Sequence, residues 1–152
     1  MVLENARPHL KSLSQLAPQL NKATDLFMEE IKKIEAELNQ LHLGVEVELR
    51  ERIDASNSKI RWSDDDEPEG TFYTAWTLGY GKNHLGHWSI LIREYEVDVE
   101  AQEWVEQGSY SILNASRDLR IAAAEHIPDL LKEIEAAVEK KIETLVKLND
   151  KR

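Results

Sequence analysis

His84 and His87 stand three residues apart and are the first place to look for metal chemistry. A metal site needs further ligands converging on such a pair, and neither an HExxH pattern nor any cysteine is present. Both histidines read as turn and strand-start residues, and no metal ligand is assigned. The acidic run Asp64-Asp65-Asp66-Glu67-Pro68-Glu69 offers carboxylate oxygens to a hard cation. Its acids are adjacent rather than alternately spaced, so it reads as a solvated acidic loop.

Gly79-Tyr80-Gly81 with Gly86 invites a nucleotide-binding reading. The segment after these glycines has strand periodicity, so no helix N-terminus would meet a pyrophosphate. Gly79 instead reads as a bulge or a close backbone approach. A catalytic triad needs a nucleophile, a base and an orienting acid, and no nucleophile-elbow motif marks one. Arg117 and Arg120 lie one helical turn apart and could grip an anion, although pairing with the chain's many carboxylates is the simpler expectation. No catalytic residue is therefore assigned, no cofactor is expected, and the chain reads as non-enzymatic.

One constellation remains. Two strand-like segments place Tyr73, Ala75, Thr77 and Gly79 on one face, beside Ser89, Leu91, Arg93, Tyr95 and Val97. Small residues run down the middle of that face. Left uncovered, it would make a shallow groove in which Tyr73, Thr77, Arg93 and Tyr95 contact a small ligand. A helix packed there would account for the small residues equally well.

The elements that position these residues follow from periodicity. Leu10, Leu13, Ala17, Leu20, Thr24, Phe27, Ile31, Ile34, Leu38 and Leu41 recur at steps of three and four, a coiled-coil-like seam. Pro18 should break or kink this helix, leaving a continuous piece from Pro18 to Leu41, about 36 Å long at 1.5 Å per residue. Its members Leu20, Phe27, Ile31, Ile34, Leu38 and Leu41 form the candidate interaction seam. The period then falls to two over Leu43, Val45, Val47 and Leu49, and a turn is expected across 54–58.

Nine of the ten aromatic residues fall between Trp62 and Tyr110, as expected of a sheet. Strands are predicted over Thr71–Tyr80 and from His87 to about Val97. The register pairs Leu78 with Ile90 and Trp76 with Ile92, which keeps the even-numbered apolar residues on one face. Gly108 with Ser109 or Ser111 marks the next helix start, and Pro128 opens the last helix. The expected fold is one α+β domain spanning 1–152: a long N-terminal helix, a three-stranded antiparallel meander, and two C-terminal helices packed on the sheet.

Acidic residues outnumber basic ones 29 to 19, for a formal net charge of −10. Such a surface repels phosphate backbones and anionic membranes, so neither nucleic acid nor membrane is an expected partner. There is no cysteine, no signal-peptide pattern and no apolar run approaching a membrane span, which suits a cytoplasmic protein. Three readings of function follow. The first is a protein-interaction module that self-associates, as a homodimer, through its long helices. The second is an acidic inhibitor or immunity-type protein that covers a basic partner. The third is a small-ligand-binding domain using the open sheet face.

Overall fold

The three-and-four spacing resolves into a single helix, α1 (Arg7–Gln40), preceded by a 3-10 turn over Val2–Ala6. The structure is a computed structural model describing residues 2–54, 60–62 and 71–151. Contrary to the expected break, α1 runs unbroken through Pro18. The chain leaves it through His42 at φ 47° and Gly44 at φ 64°, left-handed conformations that a helix cannot continue. The acidic run 64–69 and most of the 54–58 turn lie outside the described residues.

The sheet contains β1 (Val47–Arg52), β2 (Ile60–Trp62), β3 (Thr71–Lys82), β4 (Trp88–Asp98) and β5 (Glu103–Ser111), all antiparallel to their neighbours. Its order is β1-β3-β4-β5, with β2 also pairing β3. The β1 segment faces residues 77–80 of β3 and β2 faces 71–73. The sheet is thus four strands wide, with two segments sharing one flank of β3, rather than the three-stranded meander expected.

β5 accounts for the difference. Gly108 and Ser109 belong to it and do not start a helix. Most of its residues are exposed on both faces, so the segment carries no apolar alternation to betray it. A bulge completes the disguise: Glu94 faces Gly108 and Tyr95 faces Glu106, leaving Gln107 as the extra residue. Helical caps come later. The Ser111 side chain accepts from Leu113 N at the head of a 3-10 turn, Ile112–Asn114. Ser116 likewise accepts from Leu119 N and opens α2 (Arg117–Ala124). The last helix, α3, spans Ile127–Asp150 with Pro128 in its first turn.

The β3–β4 register differs from the predicted one by two residues. Leu78 faces Ile92 and Tyr80 faces Ile90. An even displacement preserves the faces, so the core face was right while the partners were not. The tie lies in the turn, where Asn83 N donates to the His87 carbonyl at 2.8 Å. Its side-chain oxygen accepts from Leu85 N and His87 N, and its amide donates to Ser89 Oγ. That self-contained loop lets the strands run two residues further, to Lys82 and Trp88.

The even-numbered face carries the main core. Leu78, Ile90, Ile92 and Ile112 are fully buried there beside Trp76 and Tyr80. Ile31 and Leu38 of α1, Leu119 and Ala123 of α2, and Ile127, Leu130 and Ile134 of α3 join the same cluster. Two polar α1 side chains complete the joint. β5 pairs with β4 no further than Leu91, opposite Ser111, so no strand faces Ile90 N or the Trp88 carbonyl. Glu35 accepts from Ile90 N at 2.9 Å, and Asn39 donates to Trp88 O at 3.0 Å. Tyr80 Oη donates to Asn39 Oδ1 at 2.6 Å. The helix thereby satisfies ladder groups that would otherwise be stranded. Burial raises the Glu35 carboxyl above its usual range, opposed by the bond from Ile90.

Candidate functional site

Residues on the odd-numbered face are also buried, yet they stand outside the helix-packed cluster. Ala75, Thr77, Leu91 and Val97 are all less than 4% exposed. What lies around them is a polar network centred on Glu48 of β1. Its Oε1 accepts from Thr77 Oγ1 at 2.7 Å and from the Tyr95 hydroxyl. Its Oε2 lies 3.7 Å from Arg93 Nη1, which is 4.0 Å from Glu106 Oε1 on β5. Trp104 meets Tyr95 edge-on at 5.5 Å. Glu48, Thr77, Tyr95 and Trp104 line a depression of about 400 Å³ together with Leu49 and Arg50.

Of the four residues proposed from sequence, the fold thus brings Thr77, Arg93 and Tyr95 together. Tyr73 stands apart beneath the Arg52 guanidinium, 5.2 Å from its ring centre, and borders a different depression with Glu94 and Glu96. Glu48 was missed. In sequence it is one polar member of an alternating strand, and only the pairing of β1 with β3, which sets Glu48 opposite Gly79, brings its carboxylate within reach of Thr77.

The chemistry of this network is cohesive rather than reactive. Burial first, then the bond to Glu48 and the charges of Glu48 and Glu106, push the Tyr95 hydroxyl up to about 12 against the pull of Arg93. It therefore remains protonated at neutral pH, as a donor to Glu48. Gly79 lets β1 approach β3 closely, as a Cβ there would meet the Val47 carbonyl oxygen at 2.8 Å. Arg93 Nε is buried without a hydrogen-bond partner among the described residues.

His84 and His87 are both exposed in the β3–β4 turn. Among the described residues, Glu51, His126 and Asp129 are the grouping with metal-ligand character, their donor atoms lying within 4.8 Å of one another. They sit at the positive N-terminal end of α3, and Lys132 borders the same depression. Both features oppose a cation. A protonated His126 would instead pair with Glu51, whose Oε2 is 3.6 Å from Nδ1.

The interaction seam divides. Ile31 and Leu38 are buried by the chain itself, and Phe27 and Ile34 are partly buried against the same core. Leu20 and Leu41 are exposed. Leu10, Leu13, Leu16, Leu20 and Leu26 on α1, and Ile142, Leu145, Val146 and Leu148 on α3, are each at least half exposed. Both helices therefore carry an uncovered apolar end. Among the described residues, no helix is long and apolar enough to cross a membrane.

Beside the exposed part of α1, a groove of about 280 Å³ opens between α1 and α2. Leu20, Ala23, Phe27 and Ile121 supply apolar walls, and Arg117 and Arg120 border it. The expected carboxylate partners of these arginines are not found among the described residues. Arg117 Nη2 donates to Asn21 Oδ1 at 3.1 Å, and Arg120 Nη2 to the Ala115 carbonyl at 2.8 Å. Arg120 Nη1 contacts Met28 Sδ, and its Nε is buried with no hydrogen-bond partner among the described residues.

Comparison of the chain with protein-family models, with curated proteins and with solved structures finds no significant match in any of the three.

Proposed function

We propose that this chain is a non-enzymatic protein-interaction module that self-associates through the projecting ends of α1 and α3. The observation that carries the reading is the pair of uncovered apolar helix ends, continuous with seams that are buried nearer the sheet. Covering the exposed half of each such side chain contributes about 1 kcal/mol. The residues involved, taken from two copies, are numerous enough to offset an association cost of roughly 4–15 kcal/mol. A cytoplasmic setting suits the cysteine-free composition.

Two features weigh against the other readings. The polar groups beside the sheet-face depression are largely engaged with one another, which leaves little to recognise a small ligand. An acidic inhibitor would draw on the net charge of −10, but that reading leaves the uncovered apolar ends of α1 and α3 without a role. The deciding measurement is sedimentation equilibrium across a wide concentration range, on the parent chain and on Leu20→Glu. The reading expects a dimer that the substitution dissociates. A parent chain that stays monomeric at the highest concentration overturns it.

A further inference from the structure

The groove between α1 and α2 has a composition that selects its occupant. Its walls are apolar, and its two arginines have no carboxylate partner among the described residues, although the chain carries 29 acids. A guanidinium held against apolar surface and bonded to neutral oxygens is a strong site for an incoming carboxylate. The best-matched occupant is an apolar helix edge bordered by acid.

The chain itself exposes two apolar helix ends, and the charges beside their apolar residues distinguish them, although the α3 end also carries Lys140, Lys141 and Lys147 on other parts of its circumference. Residues 7–23 of α1 include Arg7, Lys11 and Lys22 and no acid, so that end would bring positive charge to Arg117 and Arg120. The α3 end differs. Ile142 and Val146 are exposed there, with Glu139 one turn before Ile142. Glu143 is engaged by Lys147 at 3.0 Å, whereas no partner is found for Glu139 among the described residues. Beyond Val138 every residue of α3 is exposed, and this free portion extends about 18 Å at 1.5 Å per residue.

We infer that the α1/α2 groove seats the α3 end of a second copy, with Ile142 and Val146 against Leu20, Phe27 and Ile121, and Glu139 against Arg117 and Arg120. The inference rests on the self-association proposed above and specifies its geometry. Each copy offers one groove and one α3 end, so a reciprocal exchange closes a two-fold dimer.

The absence of native cysteine makes the test direct. Ile121→Cys and Val146→Cys chains are mixed and mildly oxidised, alongside Leu13→Cys alone. Expected is a disulfide joining the two different variants, in excess over either variant joined to itself. If the parent sediments as a dimer but only Leu13→Cys cross-links to itself, the groove assignment is overturned while self-association stands. If the parent is monomeric, both fall. Charge exchange gives a second readout. Glu139→Arg should weaken the dimer about tenfold, as expected of one lost charge pair. Arg117→Glu, on the groove border and bonded among the described residues to Asn21, should restore it when combined with Glu139→Arg. No recovery in the double variant, with each chain folded by circular dichroism, overturns the inference.

Discussion

Tyr95 on β4 donates its hydroxyl to Glu48 on β1, across the whole width of β3. Thr77, on the intervening strand, donates to the same carboxylate oxygen. A single side chain thereby links three strands on the odd-numbered face. Residues 48, 77 and 95 are far apart in sequence. Their meeting depends on two strand registers at once.

The network should be visible in alkaline titration. The Tyr95 hydroxyl ionises near 12 in the fold, against an ordinary value of 10.0. The neutral phenol is the form the fold prefers, so its contribution is complete below about pH 10 and is lost as pH rises toward 12. Phenolate absorbance should show one tyrosine titrating last, and Tyr95→Phe should remove that component. An unchanged high-pH component in Tyr95→Phe would refute the assignment.

Gly79 should be intolerant of a side chain. A Cβ at this position meets the Val47 carbonyl oxygen, a backbone atom that cannot swing aside. Gly79→Ala should destabilise the chain by about 1–3 kcal/mol through displacement of β1. Urea denaturation measures the loss; an unchanged midpoint would show that β1 moves freely.

Glu35 gives an opposite kind of pH dependence from that of a salt-bridged acid. Its folded value is raised above 4.5 by burial. The fold therefore prefers the neutral carboxyl, and this group's contribution grows as pH falls through the folded value toward 4.5. Glu35→Gln keeps an oxygen for Ile90 N without burying a charge. It should match or exceed the parent's stability at pH 7 and flatten the acid side of the stability profile relative to the parent. Lower stability at pH 7 would show that the charge itself is needed.

The two portions of α1 should respond differently to substitution. Ile31 is 2% exposed in the core, so Ile31→Ala should cost about 2–5 kcal/mol of stability. Leu13 is 58% exposed, and Leu13→Glu should change monomer stability by no more than about 0.5 kcal/mol. Thermal melts at low concentration separate the two. Comparable losses at both positions would mean that the projecting end is covered in the monomer.

Local patterning carried much of the architecture. The three-and-four spacing marked α1, alternation marked β3 and β4, and parity put Leu78, Ile90 and Ile92 on one core face, because these signals depend only on the periods of helix and strand. Signals local to one segment could not reveal β5, whose edge position removes the need for apolar alternation. They could not set the β3–β4 partners either, because two registers of equal parity bury the same side chains and Asn83 decides between them. Nor could they show that Glu48 accepts from Thr77 and Tyr95, or that the seam from Leu10 to Leu41 is covered only in its middle. Coverage depends on how far the sheet extends beneath a helix, and that is a property of the assembled fold. The amino-acid order by itself determined which surfaces are greasy and which are charged; tertiary structure alone decided which of them remain open to a partner.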